Sequence, residues 1–166
     1  MNTPVFKKLQ VVLVEPENPY NTGGIVRTCA LLGAALHLVK PYGFASVDGD
    51  VRRSSMSYLG VAEVTEHESW ESFVASLPKD SRCWAFWDEG TYAYDKVDYL
   101  QGDYLVFGRE SVGLGETILN ELPSVHIPMP GVDGTNRSDH RDHSLNVSVS
   151  VGIALTCAMH SIDGWM

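Results

Sequence analysis

No stretch of this chain approaches the ~18 consecutive apolar residues that a membrane helix needs. Met1 to Lys8 also lacks the apolar core and small-residue cleavage site of a signal peptide, so the chain is expected in the cytoplasm, away from membranes. Cysteine is scarce. Cys29, Cys83 and Cys157 stand far apart without a Cys-x-x-Cys pair, which argues against a disulfide framework or a zinc site and for reduced core thiols. Cations are the minority, 12 Lys+Arg against 21 Asp+Glu, for a formal charge of −9. That excludes a broad basic face coating nucleic acid non-specifically, but not a local basic patch or two such patches joined in a dimer. The Gly108–Gly113 spacing is not the dinucleotide fingerprint, and no P-loop occurs anywhere. Internal repeats, low-complexity tracts and interdomain linkers are absent too.

What is present is ordinary globular material: 166 residues, 44% hydrophobic and 20% charged, read as one domain over residues 1–166. Residues 9–14 form a short Val-rich run ended by Glu15-Pro16 and read as a buried strand. The Asn18-to-Gly24 segment reads as a turn, with Asn21 or Thr22 capping a helix to about Leu32 that Gly33 stops. Residues 35–39 give a second strand, so 9–39 is a β-α-β unit with parallel strands and a right-handed crossover. Further strands are expected at 61–64, 83–87, 104–107 and 125–127, and helices at 51–58, 70–77 with Ser69 as cap, 114–122 and 144–160. This alternation predicts an α/β fold with one mostly parallel sheet flanked by helices. The one long irregular run, 130–143, is the kind of loop that is usually functional or mobile.

Two motifs in the last third carry the chemistry. The first is Leu105-Val106-Phe107-Gly108-Arg109-Glu110-Ser111-Val112-Gly113-Leu114; the second opens with Ile127-Pro128-Met129 and resumes at Ser144-Leu145-Asn146-Val147-Ser148-Val149-Ser150. Strands ending in Phe-Gly and Ile-Pro-Met offer free backbone N–H and C=O groups at a sheet edge, followed by a small-residue helix. Such a site suits a flat heterocycle and a sulfonium better than a string of phosphates. The bland reading of the first motif is a strand, a turn and a helix start with Glu116 favourably placed.

With the second motif beside it, the chain resembles the SPOUT superfamily of S-adenosylmethionine-dependent RNA methyltransferases, and within it the TrmL type, which 2′-O-methylates the wobble nucleotide of certain tRNAs. The resemblance runs over nearly the whole chain. Glu15 to Ala30, with Asn21 and Arg27 at the expected spacing, matches the first family motif, Phe107 to Leu114 the second, and Ile127-Pro128-Met129 with Ser144 to Val151 the third. Pro41-Tyr42-Gly43-Phe44 and Arg52-Arg53 fit the same subgroup. The resemblance implies a C-terminal deep trefoil knot, which composition and periodicity do not reveal. It places S-adenosylmethionine at the knot, against Phe86, Gly108, Ile127, Met129, Ser144 and Leu145, with Asn146 beside them. It departs from relatives in a longer 130–143 loop, in Val112 and Gly115, in Thr156 where tyrosine is common, and in a shorter tail.

By the same resemblance Arg27 is the residue for chemistry. Methyl transfer to a ribose hydroxyl is an in-line displacement needing no metal. The protein must position the 2′-OH, remove its proton and steady the developing alkoxide. Arginine stays charged and is a poor proton acceptor, so the guanidinium is expected to clamp a phosphate and stand beside the alkoxide. The alternative is a surface ion pair. Asn21, Glu110 and Asn146 complete the catalytic set, each with a structural alternative: Asn21 as turn or cap, Glu110 as a loop brace, and Asn146 with Ser148 as helix caps.

For RNA, the anticodon loop of tRNA by this reading, the candidates are Arg52, Arg53, Lys40 and Arg109, with Arg137, Arg141 and the faces of Tyr42, Phe44 and Tyr58. Asp139, His140, Asp142 and His143 are read as a solvated loop rather than a metal site. The family packs its first and last helices across a two-fold, so a homodimer is expected, with the apolar face of helix 144–160 at the interface. Methylation of ribosomal RNA, or a knotted binding module without turnover, are the alternatives.

Overall fold

The structure, a computed structural model, describes residues 8–131 and 144–163. Strand β1 (Gln10–Val14) leads into α1 (Pro19–Leu32) and β2 (Ala35–Val39). A π-helical turn, Val47–Val51, runs into the single-turn α2 (Arg52–Ser54), and a 3₁₀ turn, Tyr58–Gly60, precedes β3 (Glu63–His67). Then come α3 (Trp70–Ser76), β4 (Cys83–Phe86), β5 (Tyr92–Ala93), β6 (Tyr104–Phe107), α4 (Glu116–Glu121), β7 (Ser124–His126) and α5 (Val147–Asp163). Among the described residues no helix is long and apolar enough to cross a membrane.

The strands form one sheet in the order β3-β2-β1-β6-β4-β7-β5, and every pairing is parallel. β1 is central: Val11 is opposite Leu36 on one side and Leu105 on the other. A parallel strand is covered on both faces, which explains why its sequence runs Val-Val-Leu-Val without alternation. Val11 and Leu13 meet Ile25, Val26 and Cys29 of α1 and Val151, Ala154, Leu155 and Ala158 of α5. Val12 and Val14 meet Phe73 of α3 and Leu114 and Ile118 beside and within α4. Ile25 and Val26 are wholly buried, each contributing about 1.5–3 kcal/mol of apolar burial. Burial pushes the Cys29 thiol up to about 12, so it is an inert core group.

Several local expectations need correcting. The cap of α1 is Asn18, whose side chain accepts from the Tyr20 and Asn21 N–H groups, and Pro19 occupies the first helical position, where its missing N–H costs nothing. Asn21 and Thr22 are therefore inside the helix, not its cap. Gly33 does end it, at φ 71 with its N–H on the Cys29 carbonyl. The strand expected at 61–64 lies at Glu63–His67, an edge strand with exposed acidic side chains that apolar patterning does not find. The helix expected over 51–58 is π and α turn from Val47 to Ser54, started by Ser46 Oγ accepting from Gly49. The last helix begins at Val147 rather than Ser144.

Candidate active site

Because the sheet is parallel, the loops leaving β1, β4, β6 and β7 emerge on the same edge, where ligands of open α/β sheets bind. There the loops after β4, β6 and β7 and the start of α5 enclose a cavity of about 480 Å³. Phe86, Gly108, Ile127, Met129, Ser144 and Leu145, the expected cofactor contacts, all line it, as do Asn146, Asn21, Arg109 and Glu110. The Phe86 ring is stacked on Phe107 at 4.7 Å and is 8% exposed, so this position offers the cavity mainly its backbone.

The β6 loop is tied into a small hairpin: Arg109 N donates to Gly113 O at 3.1 Å and Gly113 N to Arg109 O at 2.8 Å. Gly113 takes φ +69, and a Cβ there would enter the Trp87 ring. A Cβ on Gly108 would enter the backbone at Gly113 and Leu114. The glycines let this loop fold flat against the β4 end.

A chain of side-chain amides and carboxylates then joins the three motifs. Asn146 Oδ1 caps α5, accepting from Ser148 N at 2.9 Å and Ser148 Oγ at 2.6 Å. Its Nδ2 donates to Asn21 Oδ1 at 3.0 Å, and Asn21 Nδ2 donates to Glu110 Oε1 at 3.3 Å. Glu110 also accepts from the backbone of Glu17 at 2.8 Å and Asn18 at 3.1 Å, ahead of α1. In return Glu17 accepts from Ser111 N and Oγ, both at 2.9 Å, and from Arg109 at 3.0 Å. The two loops thus hold one another by exchanged carboxylates. Partial burial works to raise the Glu17 carboxyl, but the Ser111 and Arg109 donors outweigh it and hold it below its ordinary range.

Arg109 has a second carboxylate, Glu15 at 3.5 Å, so the one cation lining the cavity among the described residues is already neutralised. The remaining lining mixes Ile127, Met129, Leu145 and Val147 with Asp88, Ser144 and Ser150. A cleft of this size, part apolar and part polar, suits a drug-sized ligand, and the carboxylates of Asp88 and Glu110 in its lining favour a neutral or cationic one over a polyphosphate.

Arg27, by contrast, does not line the cavity. It lies exposed on α1, its guanidinium 5.3 Å from the centre of the Tyr58 ring and its Nη1 3.7 Å from Met56 Sδ. Of the RNA candidates Arg109 lines the cavity, whereas the others stand apart: Lys40 pairs with Glu68 at 2.7 Å, Arg52 with Asp48 at 3.0 Å and Arg53 with Asp50 at 3.4 Å. Tyr42 and Phe44 stack on each other at 4.9 Å, and the Tyr42 hydroxyl donates to Glu66. With Lys40 they line a second cleft whose other charged members are acidic. Arg137, Arg141 and the 139–143 group lie outside the described residues; among the described ones no cluster of three metal-binding side chains exists.

Sequence reasoning missed Trp87, Asp88, Ser111 and Ser150 in the lining and Glu17 in the clasp. Glu17 lay inside the first motif, and Trp87 directly follows Phe86 at a strand end; both positions carried that signal.

The model of the SpoU rRNA Methylase family matches residues 8–156. A tRNA (cytidine(34)-2′-O)-methyltransferase of Yersinia pestis is 40% identical over 150 residues, 86% of this chain and 88% of that protein. A solved structure described as giving insight into the 2-OH methylation of C/U34 on tRNA superposes with a TM-score of 0.85 at 36% identity, over 93% of this chain and 96% of that one. The SpoU methyltransferase AviRb from Streptomyces viridochromogenes, in complex with the cofactor AdoMet, superposes with a TM-score of 0.75 at 25% identity, over 95% of this chain and 62% of that one.

Proposed function

The chain belongs to the SpoU rRNA methylase family, and from that premise we propose that it methylates the 2′-hydroxyl of the wobble ribose of tRNA, cytidine or uridine, with S-adenosyl-L-methionine as donor and S-adenosyl-L-homocysteine as product. The observation that carries this reading is the cavity at the strand ends, lined by all three motifs, whose cation among the described residues, Arg109, is held by Glu15 and Glu17. The relatives named for position 34 and the AdoMet-bound neighbour support substrate and donor.

When bound, S-adenosylmethionine supplies a methyl group already activated on a sulfonium. Phe86, Gly108, Ile127, Met129, Ser144 and Leu145 are the residues that would hold it, and the apolar walls exclude water from the transfer. Asn21, Glu110 and Asn146 keep the three loops in register around it. Arg27 clamps a backbone phosphate next to the target ribose and stands beside the developing alkoxide, while the phosphate or solvent takes the proton. Lys40, Arg52, Arg53 and Arg109 belong to this reading as RNA contacts that exchange an internal carboxylate for a phosphate.

The reading includes a single domain, the C-terminal trefoil knot, the cytoplasm and a homodimer. Tyr20 and Leu31 on α1 are 77% and 61% exposed, Met56 64% and Val149 on α5 48%, large apolar side chains around the outer faces of the first and last helices. A second copy packed there would cover them. It would also give Arg27, which does not reach its own cavity, a neighbouring one to serve.

The test is incubation of purified protein with labelled S-adenosylmethionine and tRNA lacking wobble methylation, then nucleoside mass spectrometry. Label at the wobble ribose, lost in Arg27→Ala, is the expected result. Label confined to ribosomal RNA would move the substrate, and binding without label would make the chain a module without turnover.

A further inference from the structure

The described arginines divide into two kinds. Arg52, Arg53, Arg82 and Arg109 each hold an aspartate or glutamate, Arg82 with the Trp84 ring beside it as well, whereas Arg27 is met by an aromatic ring and a thioether and by no carboxylate among the described residues. Both contacts come from the segment between α2 and β3. Ser54 sits against α1 at Gly23, where any Cβ would collide with it, and its hydroxyl donates to Pro19 O at 2.8 Å. Beyond it, Tyr58 N donates to Ser55 O at 3.1 Å, and Tyr58 O accepts from Val61 and Ala62. Met56 takes φ +56, the left-handed region that a residue with a side chain rarely adopts. That turn is what brings both Met56 Sδ and the Tyr58 face to the same guanidinium.

We propose that Tyr58, assisted by Met56, is the positioning residue for Arg27: it orders the guanidinium without neutralising it. A carboxylate would take two of the five N–H donors in strong charged bonds and cancel the field that a phosphate or alkoxide needs. A ring face attracts the cation through its quadrupole and leaves the N–H edge open, and a thioether is a weak acceptor, easily exchanged for a phosphate oxygen. The side chain is thus held in place, which matters because small misplacements of a reacting group are costly. This inference rests on the role of Arg27 given above.

The test uses the full chain and three variants. Tyr58→Phe keeps the ring and should retain kcat. Tyr58→Leu should lower kcat about fivefold to tenfold while KM for S-adenosylmethionine and the unfolding midpoint stay put. Met56→Glu, which hands Arg27 a carboxylate, should lower kcat as well. A fully active Tyr58→Leu or Met56→Glu overturns the inference. A readout without turnover separates it from the methyltransferase reading: modification of Arg27 by an arginine-selective dicarbonyl, mapped by mass spectrometry. Several-fold faster modification in Tyr58→Leu than in wild type supports ordering by the ring even if no RNA is methylated. Equal rates overturn it.

Discussion

Asn146 donates its side-chain amide to Asn21 Oδ1 across 3.0 Å, joining α5 to α1 over 125 positions of sequence. The same side chain caps α5 through its oxygen, so one residue performs a local task and a distant one. Asn146→Asp keeps the acceptor for Ser148 and removes the donor to Asn21. It should unfold near the wild-type midpoint yet bind S-adenosylhomocysteine about threefold to tenfold more weakly by titration calorimetry. Asn146→Ala should add a stability loss of about 1 kcal/mol for the missing cap.

The hairpin after β6 should tolerate no side chain at its start. In Gly108→Ala the new Cβ meets the Gly113 and Leu114 backbone, which no rotamer can relieve. A loss of about 1–3 kcal/mol in urea unfolding is expected, with cofactor binding weakened more than tenfold because the displaced loop is cavity wall. Gly60→Ala, where a Cβ meets nothing, is the control and should stay within about 0.5 kcal/mol.

The Glu17 clasp should appear as acid sensitivity. Its carboxyl is held below 4.5 in the fold, so in the unfolded chain it protonates first as pH falls. Its contribution is present above 4.5 and is lost as pH drops through that value toward the lower folded one. Urea midpoints measured on both sides of pH 4.5 should therefore fall more steeply in wild type than in Glu17→Gln, which should be less stable near neutrality.

A second titration works through a base. His37 Nε2 lies 2.8 Å from Gln10 Oε1 and its Nδ1 3.0 Å from His67 Nε2, so neutral His37 donates to the glutamine and accepts from His67. Burial, then repulsion from His67, push His37 down from 6.5 to about 4, with Glu63 opposing weakly. The unfolded chain binds the proton first, so stability should decline from about pH 6.5 to about pH 4 and then level off. His37→Gln should flatten that part of the profile in thermal unfolding.

How much was readable follows from how far each signal reaches along the chain. β1, β2 and β6 announced themselves because buried parallel strands are continuously apolar. β5 did not, since two residues, Tyr92 and Ala93, make no pattern. The cap of α1 is legible in Asn18-Pro19, a capping side chain followed by a proline suited to the first helical position. The six expected cofactor positions share one cavity because each lies at a strand end or ahead of the last helix, places that topology makes neighbours. The RNA candidates were read as bare charges. Asp48 with Arg52 and Asp50 with Arg53 have the spacing of helical ion pairs, a readable warning. Glu68 on Lys40, and the gap between Arg27 and the cavity, depend on how distant segments pack.

The sheet order has a consequence for how the protein comes into being. β1 lies between β2 and β6, so a chain leaving the ribosome exposes one edge of its first strand until residues 104–107 have been made. The cavity waits longer still, for residues 144–150 to close against Asn21. Nascent chains short of that point have no ligand site, and those past it gain stability from every molecule they bind. Because the site closes last, a bound ligand should slow unfolding of the finished chain and leave its folding rate unchanged.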